Sequence, residues 1–493
     1  MPDTAIPSGA APPTRPAGLP DGLLDALRAA LGPRGVVTAA ADLEPHLSDW
    51  RGLYRGASPA LLRPATTAEL SAAMRLLHAA AVPVVPQGGN TSMVGGAMPD
   101  ESGRQVVVSL SRMNRIRDLD PVDMTMVAEA GVVLKTAQDA AAAAGCLFPL
   151  SLGAEGTATL GGVLATNAGG NTTVRYGNAR DLMLGLEVVL PDGSVIEGLR
   201  RLRKDNTGYA LRHLFVGAEG TLGFITAAVL RLYPRARSEA IALCAVADED
   251  AALSLFRRFR DRDETAIRAF EYMAGTGMDL VLRHVEGATL PLSGRADHYV
   301  LVDLASSRPP DPSGAGLRGL LEAVLEEALE AGEVTDAALA ESEAQRAAIW
   351  RLREEHPEAQ KREGASVKSD VSVPVSKVPD LIRRSSEALR ALVPGARPVP
   401  FGHMGDGNIH MNLEQPEGMD PAAFLARSHD IMGAVNAIVR DLGGSFSAEH
   451  GVGRLKPEML VAWRGGAELD AMRAVKRALD PLGLMNPGKV LPA

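Results

Sequence analysis

Apolar and polar positions alternate most sharply between Ile409 and Leu413. Ile409, Met411 and Leu413 share one parity, and His410 and Asn412 share the other. Successive side chains of a strand point to opposite faces, so this spacing predicts a strand with an apolar face on a core and His410 and Asn412 on the opposite face. A Gly-rich turn, Met404-Gly405-Asp406-Gly407, precedes it, and 398–403 reads as the partner strand that brings His403 to the same side. Elsewhere the period is helical. Thr66-Thr67-Ala68-Glu69 has the form of a capping box ahead of Leu70, Met74, Leu76 and Leu77, predicting a helix that ends near Ala80. Strands are expected at 82–85, 105–110, 124–128 and 224–232, with a helix over 133–144 that stops at Gly145. A hairpin is expected at 186–190 and 195–197 around Asp192-Gly193.

The pattern changes near 234–238. Strands at 240–246 and 298–304, and helices at 251–260, 317–331 and 336–355, predict a second α+β unit. A strand at 366–375 places Lys368, Asp370 and Ser372 on one face and Val371, Val373 and Val375 on the other. A helix over 421–442 ends at Gly443, and a last helix spans 467–479. The expected division is a disordered tail at 1–20, one domain at 21–236, a second at 237–440, and a C-terminal region at 441–493.

Composition narrows the class. A chain of 493 residues with 46% apolar and 23% charged content is an ordinary globular chain long enough for two or three cores. Its net charge of -9 and lack of a Lys/Arg-rich run argue against nucleic-acid binding. Two cysteines without CxxC spacing imply neither a disulfide framework nor a thiolate metal site, which fits a reducing compartment and a cytoplasmic location. No run of about 18 apolar residues predicts a membrane span.

Three Gly/Thr/Asn-rich stretches fall in the first domain: Gln87-Gly88-Gly89-Asn90-Thr91-Ser92, a long run from Gly153 to Gly170, and Gly217-Ala218-Glu219-Gly220. A strand running into a glycine turn offers backbone N–H groups to phosphate, and dense small residues let a flat ligand lie on the backbone. Such turns more often only turn, but three on one unit suggest a large anionic ligand with a diphosphate. Neither a strand–GxGxxG–helix nor a GxxxxGK[ST] loop is present, which argues against a standard dinucleotide fold and a nucleotide triphosphatase.

His403 and His410 alone are open to a bland reading, two satisfied polar histidines beside a tight turn. Ser447-Ala448-Glu449-His450-Gly451-Val452-Gly453 adds a carboxylate and a third imidazole in a chain with only 10 histidines, which favours a divalent metal such as zinc or manganese. Arg353 and Lys368 could supply positive charge to a pocket; without other evidence each reads as a solvated surface charge.

Together these segments resemble the FAD-linked oxidase superfamily of the vanillyl-alcohol-oxidase or PCMH type, and within it the D-2-hydroxyacid dehydrogenase group. The resemblance runs from about Pro59 to Leu491. It is carried by the stretches at 86–96, 217–223, 402–410, 449–453 and 486–489. It implies an α+β chain with a PCMH-type FAD-binding domain, a second α+β substrate domain and a small helical C-terminal region completing the active site. It implies non-covalent FAD on Gln87, Gly88, Gly89, Asn90, Thr91, Ser92, Gly153, Gly161, Gly162, Asn167, Gly170, Glu219 and Gly220. It also implies a divalent metal, zinc or alternatively manganese, on His403, His410 and Glu449, with His450 as general base and Arg353, Lys368 and Asn412 as substrate contacts.

The expected reaction is metal-assisted oxidation of a D-2-hydroxyacid to the 2-oxoacid, with hydride passing to flavin N5. D-2-hydroxyglutarate is the expected substrate, and D-lactate or glycolate the alternative. Where members acting on hydroxyglutarate carry a threonine four residues after this arginine, this chain has Pro357. An external acceptor, such as an electron-transfer flavoprotein or a quinone, would re-oxidise the flavin, and a homodimer is open. The reading from another class, a flavin electron-transfer subunit without its own substrate reaction, leaves the His/Glu/His cluster unexplained.

Overall fold

The computed structural model describes residues 18–311, 313 and 316–492, so most of the tail expected at 1–20 lies outside the described residues. The chain divides into two compact units. One comprises Gly170–Tyr176 and Arg235–Ala448, and the other the described parts of Ala5–Gly169, Gly177–Pro234 and Glu449–Ala493. Among the described residues no helix is long and apolar enough to cross a membrane.

The second of these units holds a four-stranded sheet, ordered Val36–Val37, Leu61–Leu62, Val106–Ser109, Val84–Gln87, and a five-stranded antiparallel sheet, ordered Ile116–Asp120, Thr125–Glu129, Phe224–Arg231, Met183–Val189, Val195–Gly198. Val84–Gln87 and Leu61–Leu62 run parallel to Val106–Ser109. A parallel strand needs a crossover, and the helix Thr67–Ala79 supplies it before Val84–Gln87. Thr66 caps that helix by accepting from the Glu69 N–H, and the Glu69 carboxylate reaches back to the Ala65 N–H. The strand expected at 82–85 begins two residues later and runs straight into the first glycine loop.

The unit around the alternating stretch is one eight-stranded sheet, antiparallel throughout its described pairings. Its order is Val334–Leu339, Ser238–Val246, His298–Ser306, Ile267–Ala274, Arg397–His403, Asn408–Glu414, Ser366–Val367, with Val371–Ser372 also on Asn408–Glu414. The 2.0-residue period held: Ile409, Met411 and Leu413 are fully buried. On the opposite face Ile241, Leu243, Met273, Tyr299, Leu301, Val399 and Phe401 pack with Met278, Ile349, Leu352 and Ala359 from helices.

Several expectations needed correction. The helix expected over 336–355 is a strand, Val334–Leu339, followed by a helix, Glu343–Glu354. Pairing with Ser238–Val246 extends the first half, and Ser342 caps the second by accepting from the Gln345 N–H. The single strand expected at 366–375 is two short pieces, and the helix expected at 421–442 breaks into Pro421–Leu425 and Ser428–Asp441. The strand Ile267–Ala274 and the helix Gly275–His284 were not foreseen.

Candidate active site

The strand pair Arg397–His403 and Asn408–Glu414 builds the polar face from backbone register alone. Phe401 faces His410, Val399 faces Asn412, and His403 faces Asn408. Partners across an antiparallel pair share a face, so His403, His410, Asn412 and Glu414 form one file. The turn between the strands needs Gly407. Its φ is 87°, and a Cβ there would meet the Val373 carbonyl oxygen at 2.1 Å. The two imidazole rings lie edge to face with centroids 6.0 Å apart, and a ring nitrogen of each lies within 4.8 Å of the other.

Glu271 lies directly opposite His403 on the next strand. Its fully buried carboxylate takes His403 Nδ1 on one oxygen and Arg353 Nε on the other, each at 2.7 Å. Burial opposes ionisation of Glu271, yet the charges and hydrogen bonds of His403 and Arg353 win and hold its pKa down to about 2. With Nδ1 turned to a carboxylate, Nε2 is the His403 nitrogen suited to ligate a metal. The donor set of two imidazoles thus fits a divalent transition metal.

Arg353 is 6% exposed, and its guanidinium lies over the Phe401 ring at 4.9 Å. The reading of Arg353 as a solvated surface charge is therefore wrong: it is built into the polar face. Phe401 also contacts His410 in a tilted arrangement, with centroids 5.0 Å apart. Pro357 sits in the first turn of the helix His356–Glu363 and offers no hydroxyl.

Asn412 is tied on both ends. Its Oδ1 accepts the Ser369 N–H at 3.2 Å, and its Nδ2 donates to Gln360 Oε1 at 2.9 Å. Gln360 Nε2 in turn donates to Glu414 at 2.7 Å. Burial pushes the Glu414 carboxyl up to about 8, against the pull of that hydrogen bond and of Lys368 and Arg397. Val367 pairs with Leu413 and so shares the core face, and the half-buried Lys368 just beyond the strand end is near enough for its charge to act on Glu414. Sequence reasoning missed Glu271, Gln360 and Glu414. For Glu271 a signal existed, a lone carboxylate within the run Ala269-Phe270-Glu271-Tyr272-Met273, but without the strand it had no face.

The other unit gathers the three glycine stretches. A Cβ on Gly89 would sit 2.1 Å from the Thr157 carbonyl oxygen, and one on Gly88 2.6 Å from Thr159 Oγ1, so the first and second stretches touch through missing side chains. Among the described residues the N–H groups of Gly89, Asn90, Thr91 and Ser92 donate to no backbone carbonyl. Such a run of open donors, following Gly88 beside Gly162, suits a diphosphate.

The Gln87 side chain is engaged elsewhere: its amide donates to the carbonyls of His46 and Ala97. Asn90 donates to the Ser48 carbonyl, and Asn167 accepts from the Arg180 N–H. Gly220, at φ 70°, packs against Pro86. Gly153 has open space about it, and Gly170 belongs to the unit of the histidine pair. The buried Glu219 carboxylate accepts from the N–H groups of Val452 and Gly453 at 2.7 and 2.8 Å, so it grips the loop that follows Glu449 and His450. Burial raises its pKa, against those two hydrogen bonds. Glu449 and His450 offer ligand atoms within 4.8 Å of each other.

Two family descriptions match this chain: an FAD binding domain over residues 58–198, and the C-terminal domain of FAD linked oxidases over residues 235–490. The chain belongs to the FAD-linked oxidase family. Membership makes it an FAD-dependent oxidoreductase with the expected FAD-binding and second domains. Relatives extend over nearly its whole length. A Bos taurus protein named mitochondrial D-2-hydroxyglutarate dehydrogenase is 38% identical over 467 residues, 93% of this chain and 82% of that protein. A D-2-hydroxyglutarate dehydrogenase of Xanthomonas citri pv. viticola is 36% identical, covering 92% and 93% of the two chains. Solved FAD-linked oxidase folds agree. Alkyldihydroxyacetonephosphate synthase superposes with a TM-score of 0.74 at 16% identity, covering 99% of this chain and 89% of the other. For p-cresol methylhydroxylase the TM-score is 0.72 at 16% identity, covering 97% and 98%. At that identity the likeness shows the fold and nothing finer.

Proposed function

We propose that this FAD-linked oxidase converts a D-2-hydroxyacid, D-2-hydroxyglutarate foremost, to the 2-oxoacid. The observation that carries the reading is one polar strand face presenting two imidazoles beside a buried guanidinium. When bound, FAD supplies the hydride acceptor, and a divalent metal, zinc in our reading, supplies a Lewis acid. His403 and His410 would hold the metal with Glu449. That third ligand is supported by its place in the chain, one residue after Ala448, whose N–H donates to the Asp370 carbonyl.

His450 would take the substrate hydroxyl proton as general base, a role worth roughly 10²–10⁴-fold. Arg353 would neutralise a carboxylate with its fork, Lys368 would add a second positive charge, and Asn412 would donate an amide N–H. A carboxylate at each end of the substrate would use both cations, which favours a dicarboxylate. Pro357, with no hydroxyl to reach the far end, favours D-lactate or glycolate instead.

Anaerobic flavin bleaching against a panel of D- and L-2-hydroxyacids, with and without chelator, decides between them. D-2-hydroxyglutarate should bleach the flavin fastest, chelator should stop it, and zinc should restore it. Full activity in metal-stripped protein would refute the metal role, and no bleaching by any hydroxyacid would refute the reaction.

A further inference from the structure

We propose that Glu271 is a positioning residue that orients His403 for a divalent metal and Arg353 for a substrate carboxylate at once, an inference that rests on the functional reading above. An ionised carboxylate only accepts hydrogen bonds, and it has an oxygen for each partner. His403 Nδ1 meets one oxygen and Arg353 Nε the other, both at 2.7 Å, with all three residues buried. Facing an acceptor, Nδ1 must carry the imidazole proton, so the Nε2 lone pair is the one left for a metal. Arg353 gives Glu271 its Nε, which leaves its two terminal NH2 groups for a bidentate grip on an anion. The Phe401 ring beneath the guanidinium limits its swing. Metal ligand and anion ligand thus hang on one carboxylate, fixed to the sheet opposite His403.

Glutamine at this position separates the arms. An amide has one accepting oxygen and one donating nitrogen, whereas both partners donate. Glu271→Gln must therefore lose the Arg353 contact or turn His403 to the tautomer with Nε2 protonated.

Zinc affinity is read by competition with a chromophoric chelator, on FAD-loaded protein without substrate, and KM is read separately. In Glu271→Gln zinc affinity should fall about tenfold to a hundredfold, the range for loss of a group that orients a metal-bound histidine. Its KM should rise by about tenfold or more, the size of a lost hydrogen bond to a charged group. Glu271→Asp, which keeps two accepting oxygens, should fall between wild type and Glu271→Gln. Arg353→Met should raise KM but keep wild-type zinc affinity, because the Glu271–His403 arm stays whole. The proposal is overturned if Glu271→Gln binds zinc as wild type does, or if Arg353→Met loses zinc equally. Those results with wild-type flavin still bleached by a hydroxyacid would overturn the proposal alone. Wild type that takes up no zinc would overturn the metal reading with it.

Discussion

Glu414 gives this protein a stability that depends on pH in a direction opposite to most carboxylates. Its side chain is fully buried, one oxygen accepts from Gln360, and the other has no partner among the described residues. Burial raises its pKa from 4.5 to about 8. The folded state therefore holds the proton more tightly than the unfolded chain does. Below about pH 4.5 both states are protonated and the group is neutral in its effect. From there to about pH 8 the unfolded state alone ionises, and stability falls by about 1.4 kcal/mol per pH unit; above that it levels off.

Between pH 5 and pH 8 the loss is about 3.5 kcal/mol, because the slope is not yet full at pH 5 and flattens at pH 8, equivalent to roughly 7–14 °C in melting temperature for a unit of this size. Glu414→Gln keeps an oxygen for the Gln360 amide and removes the titration. Melting curves of wild type and Glu414→Gln from pH 5 to pH 9 isolate the effect, because titrating groups distant from Glu414 cancel in the difference. The variant should gain on wild type steadily between pH 5 and pH 8, and the gap should then hold. Two melting profiles running parallel across this range would refute the argument.

Other consequences concern the site itself. His450→Asn should retain metal and FAD, measured by metal analysis and flavin absorbance, while turnover drops by roughly 10²–10⁴-fold. Retained turnover would remove His450 from the reaction. His403→Ala should lose metal and turnover together, read by the same two assays. Gly407→Ala should destabilise by at least about 1–3 kcal/mol, because a positive φ and a carbonyl at 2.1 Å both oppose a methyl group. It should also weaken zinc uptake, since the turn sets the spacing of His403 and His410; wild-type melting and uptake would contradict this.

Much of the site was legible because its information is local. A period of two needs only five consecutive residues, so the buried set Ile409, Met411 and Leu413 and the opposing His410 and Asn412 follow from the chain itself. Glycine turns and capping boxes are equally local, which is why the helix Thr67–Ala79 and the glycine stretches were placed from sequence. The helix/strand error at 336–339 arose where local preference was weak and pairing with Ser238–Val246 decided.

Glu271 marks the limit. Its neighbours say only that a carboxylate sits in an apolar run. Its partners stand 82 and 132 residues away, and nothing within the run names them. Arg353, from sequence an ordinary charge near a helix end, became a buried group only when Phe401 came under it. Sequence alone determined which residue types could do the chemistry and which face each residue from Ile409 to Leu413 would take. Tertiary structure decided which charges meet. Burial strengthens an ion pair and selects its partners only once distant strands are paired, and that pairing is a property of the whole sheet.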